Sequence, residues 1–253
     1  MARIFITGSA DGLGQLAANA LISQGHKVVL HARNAARGRE ALVKVCGAET
    51  VVAADLSSVD ETIQLAEKVN ALGRFDAVIH NAGLYHAPAK ELFTVNTLAP
   101  YILTCLVQKP QRLIYLSSDM HEGGLSKLDS FKTDIGRITY SDTKLHVVML
   151  CKAVERKWSE VYANAVNPGW VPTKMGGAGA PENLEKGFQT QVWLAVSNDE
   201  RAKVSGRFFY HQKEVRSNPE ADDEQLQEIF LTQCKELTGI SFPDEALHSI
   251  CKT

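Results

Sequence analysis

Residues 4–14 read IFITGSADGLG, a short apolar run followed by three glycines in the spacing GxxxGxG. An apolar run that leads through a glycine turn into a helical pattern predicts a β-strand followed by a helix N-terminus. Glycine lets the backbone turn tightly and approach a ligand, and the first turn of a helix offers free N–H groups. The stretch therefore predicts a phosphate site made by Gly8, Ser9, Asp11, Gly12, Leu13 and Gly14. A tight turn without a ligand is the alternative, because the spacing differs from GxGxxG.

The alternation of apolar runs and helical patterns continues along the chain. Seven apolar runs predict strands at residues 4–6, 28–30, 51–53, 77–79, 113–116, 163–166 and 208–210. Helical periodicity lies between many of them, at 14–23, 35–45, 62–72 and 140–157, whereas 119–138 and 174–183 are predicted to be long loops. Apolar strands separated by helices are typical of a parallel sheet covered on both faces. We predict an α/β fold, a Rossmann-type doubly wound parallel sheet of about seven strands, in a single domain over 1–253.

Composition and charge exclude several other classes of protein. The 253 residues are 45% hydrophobic and 22% charged, with 18 Gly and 8 Pro, which excludes a disordered chain and a collagen-like repeat. Lys plus Arg number 27 against 29 Asp plus Glu, so no basic character predicts a nucleic acid as partner. The sequence shows neither a signal-peptide pattern nor an apolar run near 18 residues, so we expect a cytoplasmic protein without a membrane anchor.

Cysteine and histidine spacing predicts neither disulfides nor a metal ion. The five cysteines are odd in number and form no CxxC pair; they are Cys46, Cys105, Cys151, Cys234 and Cys251. The first three lie among apolar residues and are interpreted as core side chains. The histidines lack HExxH spacing. Among them, His121 and His86 are candidates for the rim of a pocket or for solvent-facing loops, and His146 is expected to pack inside.

The end of the second predicted strand bears on which dinucleotide the phosphate site would prefer. An NAD site normally has an acidic residue here that binds the ribose 2′-hydroxyl, but residues 31–34 read HARN. Arg33, with Arg37 four residues on, would instead bind a 2′-phosphate. We therefore expect NADP(H) to be preferred over NAD(H), with Arg33 and Asn34 as cofactor-binding residues. A solvated surface arginine is the alternative.

Small and polar residues follow the third and fourth predicted strands, at the sheet edge where open parallel sheets bind ligands. Asp55 would accept a hydrogen bond from an adenine amino group, or would instead cap the next helix. The small residues after the fourth strand would let a cofactor lie against the backbone. The predicted contacts are Asp55, Leu56, Asn81, Ala82 and Gly83.

Tyr140 and Lys144 are four residues apart at the start of a predicted helix, so they share one helical face. A free tyrosine has a pKa of roughly 10, and a neighbouring ammonium lowers it by favouring the phenolate. The pair therefore predicts a proton-transfer site. By itself, a tyrosine and a lysine on an ordinary helix is the simpler interpretation.

Five motifs taken in order resemble the short-chain dehydrogenase/reductase family: TGSADGLG at 7–14, NAG at 81–83, SS at 117–118, YSDTK at 140–144 and NPGWVPT at 167–173. The resemblance implies that Tyr140 is the general acid/base and that Lys144 binds the nicotinamide ribose and lowers the tyrosine pKa. It implies that Ser118 orients the substrate oxygen, with Ser117 as the alternative, and that Asn96 completes a proton relay through water. It also implies nicotinamide contacts from Pro168, Gly169, Val171 and Thr173.

Further stretches look like the retinol-dehydrogenase-like branch of that family: 32–34, His121 after the two serines, 204–209 and a predicted helix over 222–237. The branch implies NADP and lipophilic alcohols or carbonyls, although many members carry an N-terminal membrane anchor that this pattern lacks. We expect an NADP-dependent oxidoreductase that interconverts a carbonyl and an alcohol on a small or lipophilic substrate, with loop 174–183 over an apolar pocket. A catalytically silent NADP-binding regulator or scaffold is the alternative.

Family members often form homodimers or homotetramers through the helices that contain Asn96 and Tyr140. The apolar stretches 98–107 and 147–154 on those helices fit such an interface. They fit ordinary core burial equally well.

Overall fold

The computed structural model describes residues 1–243, and Cys251 lies outside the described residues. Within them a single sheet of eight strands forms the centre of the molecule. In chain order the strands are β1 Arg3–Ile6, β2 Lys27–Ala32, β3 Thr50–Ala53, β4 Ala77–His80, β5 Arg112–Leu116, β6 Tyr162–Asn167, β7 Arg207–Tyr210 and β8 Lys213–Val215.

The strands lie in the order β3-β2-β1-β4-β5-β6-β7-β8, and the first seven run parallel. From β1 the chain first adds β2 and β3 on one side and then returns to add β4 and the later strands on the other side, so the strand order reverses between β1 and β4. Such a reversal opens a crevice at the carboxyl ends of the strands, where ligands bind in open α/β sheets. The predicted doubly wound α/β fold with seven parallel strands is confirmed.

The eighth strand, β8, is an addition that the hydrophobic pattern does not predict. It pairs antiparallel with β7 at the edge of the sheet, and all three of its residues are exposed. The two-residue turn that joins the strands places His211 and Gln212 at φ +47° and +60°. Hairpin turns of this kind normally carry glycine or asparagine, so neither the turn nor the strand has its usual sequence signal.

Helices cover both faces of the sheet. They are α1 Gly12–Ser23, α2 Ala35–Lys44, α3 Val59–Ala71, α4 Ala89–Phe93, α5 Ala99–Leu106, α6 Ser130–Thr133, α7 Tyr140–Lys157, α8 Leu184–Val196 and α9 Glu224–Thr238. A π-helical turn, Thr94–Leu98, joins α4 to α5. One core cluster packs α1, α2 and α8 on one face, and another packs α3, α5, α7 and α9 on the other. Strands buried on both faces explain the continuous apolar runs.

Two sequence interpretations need correction. The segment predicted as a loop over 119–138 contains α6 and two 3₁₀ turns, Asp119–Gly123 and Ile135–Arg137, because buried side chains such as Phe131 anchor it to the core. The interpretation of Cys46 as a core residue is wrong. The helix α2 ends at Lys44, so Cys46 does not continue the buried face of the helix, and its thiol is exposed. Cys151 is buried as expected, and Cys105 is half-buried.

The apolar stretches 98–107 and 147–154 are covered within the same chain. The Tyr101 hydroxyl donates to the carbonyl of Ile240 at 2.7 Å, and the Trp158 indole donates to the carbonyl of Pro243 at 2.9 Å. On α7, Val148 and Leu150 are fully buried. Core burial therefore accounts for the apolar character of both stretches, with α5 packed against α3 and α7 packed against α9. Among the helices of residues 1–243, none is long and apolar enough to cross a bilayer.

Candidate active site

The carboxyl ends of the central strands open onto a cavity of about 370 Å³, a size usual for small-molecule sites. Fifteen residues predicted from the sequence line it: Gly8, Asp11, Gly12, Leu13, Arg33, Asp55, Leu56, Asn81, Ala82, Gly83, Ser117, Tyr140, Lys144, Pro168 and Thr173. Five further lining residues received no site role from the sequence: His31, Ala54, Leu84, Val95 and Leu116. The remaining two, Lys174 and Met175, belong to the loop over 174–183 that is predicted to cover an apolar pocket. The lining does not include seven predicted residues: Ser9, Gly14, Asn34, Asn96, Ser118, Gly169 and Val171.

The glycine loop packs directly against the turn after β4. Gly8 has φ +64°, and a Cβ added there would lie 2.8 Å from the Cα of Ala82. A Cβ on Gly14 would lie 2.7 Å from the carbonyl oxygen of Gly8, so only glycine fits at the start of α1. The Asn81 amide donates to the carbonyls of Thr7 and Gly8 at 2.9 and 3.1 Å. Gly14 and Asn81 therefore fix the shape of the glycine loop.

His31 joins three loops at the other end of the cavity. Its Nδ1 accepts from the N–H of Gly8 at 2.9 Å, and its Nε2 lies 3.0 Å from the carbonyl oxygen of Ala54. A backbone N–H can only donate and a carbonyl can only accept, so the ring is neutral with its proton on Nε2. Burial lowers the pKa of His31 to about 4, which keeps this form at neutral pH. In the sequence, the only sign of this role is that His31 is a polar residue at the end of an apolar strand, VVLHA.

The side chains of Ser9 and Asn34 make hydrogen bonds within the protein, and neither residue lines the cavity. The Ser9 hydroxyl is fully buried, where it donates to the carbonyl of Ile6 and accepts from the N–H of His31. The Asn34 side chain accepts from the N–H of Arg37 at 3.0 Å and so caps α2. Asn34 thus satisfies a free N–H at the start of α2, and Ser9 joins the glycine loop to β2.

Charged side chains of both signs surround the β2 end of the cavity. Arg33 lies 3.6 Å from Asp55, and Arg37 lies 3.3 Å from Asp11. Lys174 also pairs with Asp11, and this contact holds the pKa of the Asp11 carboxyl below its usual range. Asp55 does not cap α3, since Ser58 does; it accepts instead from the Ser57 N–H and hydroxyl. Three cations and two carboxylates favour an anionic group at this end.

Tyr140 and Lys144 lie on α7, as the spacing predicts. Thr139 and Asp142 form a capping box at the start of the helix, and Asp142 also pairs with Lys127 at 2.7 Å. The Lys144 ammonium lies 5.5 Å from the centre of the Tyr140 ring and donates to the carbonyl of Leu116 at 2.8 Å. The helix start is thus firmly held beside the end of β5.

Burial dominates the titration of this pair. It raises the pKa of Tyr140 to about 12, while the Ser118 side chain acts in the opposite direction, and it lowers the pKa of Lys144 to about 8. Burial of the Tyr140 hydroxyl therefore outweighs the lowering of its pKa that is expected from Lys144. The cause is desolvation of the phenolate, which disfavours the charged form.

The two serines have different partners. The Ser117 hydroxyl donates to the carbonyl of Lys144 at 2.7 Å and is buried. The Ser118 hydroxyl donates to the Asp119 carboxylate at 2.9 Å, and its side chain is the group that opposes the raised pKa of Tyr140. This geometry favours Ser118 as the partner of Tyr140, although Ser117 is the one that lines the cavity.

Asn96 lies behind the cavity wall, inside the π-helical turn. Its Oδ1 accepts from the N–H of Leu84 at 2.8 Å, and its Nδ2 donates to the carbonyl of Leu84 and to the Thr143 hydroxyl. A Cβ on Gly83 would lie 3.3 Å from the Lys144 ammonium and 3.5 Å from Asn96 Oδ1. Single π turns inside α-helices are frequent at functional sites. Asn96 and Lys144 thus both lie next to Gly83.

The loop over 174–183 borders the cavity and is fastened at both ends. Lys174 reaches Asp11, and Glu182 accepts from the N–H of Trp170 at 2.6 Å and from the Tyr210 hydroxyl at 2.7 Å. A Cβ built on Gly169 would overlap the Glu182 carboxylate, and Val171 is buried; neither residue is in the cavity lining.

The structure places the three histidines singled out in the sequence in different environments. His146 is buried and packs against Phe131 and Phe230, as expected. His86 is exposed, with its ring 4.2 Å from that of Tyr85. Neither interpretation of His121 is right, since the ring is fully buried and lines neither the pocket nor the surface.

The residues present fit a nicotinamide dinucleotide. Gly12 borders the cavity at the start of α1, and a Cβ built there would meet no atom within 4 Å, which leaves room for a diphosphate at the helix N-terminus. Lys144 and Tyr140 line the same cavity as Arg33, so one extended ligand could contact both ends.

We expect Lys144→Met to raise the free energy of unfolding by about 1–2 kcal/mol at pH 7. Burial lowers the pKa of Lys144 from 10.5 to about 8, which corresponds to about 3 kcal/mol, and the lost hydrogen bond to Leu116 returns about 1 kcal/mol. Because the folded-state pKa is the lower one, wild-type stability rises with pH between about 8 and 10.5. The difference between the two proteins should shrink over that window.

Urea denaturation from pH 6 to 10.5 would measure this difference. Lys213→Met on the exposed strand β8 is the control, with an expected change below about 0.5 kcal/mol. A Lys144→Met protein less stable than the wild type at pH 7 would contradict the argument.

The family model for short chain dehydrogenases matches residues 2–183. An uncharacterized oxidoreductase of Emericella nidulans is 47% identical over 256 residues, covering 96% of this chain and 99% of that protein. Short-chain dehydrogenase chyC of Penicillium rubens is 42% identical and covers 96% of this chain and 100% of its own length. Human retinol dehydrogenase 13 is a more distant relative, 28% identical with 95% of this chain and 85% of its own length covered.

Solved structures share the fold at low sequence identity. An uncharacterized protein of Mycobacterium paratuberculosis has a TM-score of 0.80 at 22% identity, covering 96% of this chain and 95% of its own. A short-chain dehydrogenase of Shigella flexneri, described as complexed with NADP, has a TM-score of 0.65 at 20% identity, covering 84% of this chain and 97% of its own. The family match, together with the motifs, shows that this chain belongs to the short-chain dehydrogenase family of oxidoreductases and is related to the retinol dehydrogenases.

Proposed function

We propose that this protein interconverts a carbonyl and an alcohol on a small or lipophilic substrate, using NADP(H). The observation that carries the proposal is the meeting of Tyr140 and Lys144 with the glycine loop in one cavity. Family membership supports the reaction class. A cavity with a helix N-terminus at one end and a buried phenol at the other suits a dinucleotide and a proton donor.

A bound nicotinamide cofactor supplies or accepts the hydride. In reduction, the Tyr140 hydroxyl donates its proton to the carbonyl oxygen of the substrate, and in oxidation the phenolate removes it. The Ser118 hydroxyl, next to Tyr140, orients the substrate oxygen and stabilises its developing charge. Lys144 contacts the nicotinamide ribose and favours the phenolate. Asn96 holds Leu84 and Thr143 in place, and we propose that a water beside it returns the proton.

The preference for NADP(H) is proposed from the cations at the β2 end. Arg33 and Lys174 line the cavity there, with Arg37 beside Asp11. A 2′-phosphate would compete with the carboxylates for these side chains. The description of the Shigella flexneri neighbour as an NADP complex agrees with this assignment.

A lipophilic substrate is proposed from the apolar side chains near Tyr140. Leu84, Val95 and Leu116 line the cavity with Met175, whose side chain is 45% exposed. Trp170 is 59% exposed at the base of the loop over 174–183. Exposed large apolar side chains beside a cavity are typical of binding sites for apolar ligands.

We propose a cytoplasmic protein whose partner is a small molecule, not a nucleic acid or a membrane. A homodimer or homotetramer stays a prediction, and it would need a surface other than 98–107 and 147–154, since these are covered within the chain.

Tyr140→Phe should lower kcat by at least about a thousandfold, because the proton donor is lost while the ring keeps its packing. Purified wild type and variant would be compared by NADPH oxidation against aldehydes, ketones, steroids and quinones. Tyr85→Phe is the matched control, since the Tyr85 ring packs edge-on against Tyr140 with ring centres 4.7 Å apart. Full turnover by Tyr140→Phe would refute the mechanism, and tight NADPH binding without turnover on any carbonyl would favour the regulator instead.

Arg33→Ala should raise KM for NADPH about tenfold and leave KM for NADH unchanged. The reason is the loss of a charge-assisted contact to the 2′-phosphate, which NADH lacks. Arg39→Ala, at an exposed position on α2, serves as control. Equal effects on both cofactors would show that Arg33 does not read the 2′-phosphate.

His31→Gln should weaken NADPH binding about tenfold, whereas His31→Asn should bind within about threefold of wild type. Asparagine places an oxygen near the position of Nδ1 and can still accept from Gly8, but glutamine leaves that N–H unpaired beside the cofactor. Titration of NADPH fluorescence measures the dissociation constants. The opposite order of the two variants would refute the role of the Gly8 contact.

A further inference from the structure

The backbone that carries Ser118 enters a short 3₁₀ turn, Asp119–Gly123, as it leaves β5. The Ser118 hydroxyl caps this turn by accepting from the N–H of Met120 at 3.2 Å. A turn of five residues satisfies few of its own carbonyls, and the next residue is Gly124. Within the turn, the Ser118 carbonyl accepts only from the N–H of His121 at 3.2 Å, so the position of Ser118 depends further on side-chain contacts.

His121 makes one of these contacts. Its Nδ1 lies 2.6 Å from the carbonyl oxygen of Ser118, and its Nε2 accepts from the N–H of Asn218 at 3.2 Å. Because a backbone N–H can only donate, the ring proton is on Nδ1 and is donated to Ser118. Burial lowers the pKa of His121, which keeps this neutral form. One imidazole thus joins Ser118 to a segment 97 residues later in the chain.

Asn218 makes further contacts with the same turn. Its side-chain amide reaches three carbonyl oxygens of the turn, those of His121, Glu122 and Gly124, at 3.3, 3.1 and 3.0 Å. Its Oδ1 accepts from the N–H of Glu220 at 2.9 Å, and the residue is buried. Every polar atom of this side chain is used. Asn218 therefore provides the hydrogen bonds that a continued helix would otherwise give to the turn.

Two neighbouring contacts strengthen the link. The Glu220 carboxylate accepts from the N–H of Ser126 at 2.8 Å, and the ring of Phe208 lies 4.3 Å from that of His121. The segment around Asn218 lies beyond residues 2–183, the part of the chain that matches the family model. The link thus ties the candidate catalytic serine to a part of the chain outside that match.

We propose that His121 and Asn218 are positioning residues that hold Ser118 beside Tyr140. This proposal rests on the proposed function, because it takes Ser118 as the group that orients the substrate oxygen. Without the link, the Ser118 carbonyl keeps only the backbone N–H of His121 at 3.2 Å, so the turn loosens and the hydroxyl moves away from Tyr140. The glycine loop and His31 lie on β1 and β2 and are unaffected. A lower kcat with an unchanged KM for NADPH is the expected result.

Paired His121 variants separate the two hydrogen bonds. His121→Asn keeps an amide nitrogen near the position of Nδ1 and so keeps the link to Ser118. His121→Gln keeps an amide oxygen near Nε2 and so keeps only the link to Asn218. We expect kcat to fall about tenfold to a hundredfold in His121→Gln and in Asn218→Ala, with KM for NADPH within about twofold. His121→Asn should retain most of the activity.

Asn70→Ala is the matched control. The Asn70 side chain donates to the carbonyl of Leu106 and accepts from the N–H of Gln108, both at 2.8 Å, near the end of the sheet opposite the cavity. Asn70→Ala should lower the melting temperature of the protein without lowering kcat. Equal losses of kcat in the two His121 variants, or an Asn70→Ala loss as large as that of Asn218→Ala, would overturn the proposal.

Hydrogen exchange tests the link without enzyme activity. If the wild type reduces no carbonyl, or if Tyr140→Phe keeps full activity, the proposed function fails but the link is still measured. Faster exchange of amides 118–124 in Asn218→Ala, absent from Asn70→Ala, supports the proposal, and unchanged exchange overturns it. Nitrogen-15 spectra of the wild type should show His121 protonated on Nδ1, and a proton on Nε2 would also overturn it.

Discussion

Two reciprocal hydrogen bonds join the end of β5 to the first turns of α7, and the candidate site depends on them. The Lys144 ammonium donates to the carbonyl of Leu116, and the Ser117 hydroxyl donates to the carbonyl of Lys144. A lysine side chain buried to this degree is expensive unless its proton donors are satisfied. The carbonyl that it reaches belongs to Leu116, the last residue of β5, so the Lys144 ammonium is fixed at the end of that strand. Tyr140, one helical turn away, is placed with it.

Buried neutral histidines extend this arrangement around the cavity. His31 accepts at Nδ1, whereas His121 accepts at Nε2, so the two rings carry their protons on opposite nitrogens. Each ring uses both nitrogens to join segments that are distant in the chain. Desolvation keeps both uncharged. The cavity walls are therefore held by hydrogen bonds whose direction is set by a single proton on each ring.

The sequence predicts the part of the fold that follows from periodicity. Apolar runs mark β1 to β7 because those strands are buried on both faces, and spacing places Tyr140 and Lys144 on one face of α7. The same reasoning misses β8, whose residues are exposed and whose turn has neither glycine nor asparagine. Motif positions also do not reveal orientation: Ser9 matches a phosphate loop yet faces inward. Contacts such as that of His121 with Asn218 join distant segments, and no local pattern encodes them.

The position of Asn218 has a consequence for synthesis of the chain on the ribosome. The first eighty residues contain β1 to β4, which pair with one another and carry the glycine loop. The turn after Ser118, in contrast, lacks its outside hydrogen bonds until residue 218 has left the exit tunnel. Because chains emerge N-terminus first at about 5–20 residues per second, the glycine loop can form several seconds before that turn is complete. A nascent chain would then hold half of its site folded and the other half still open.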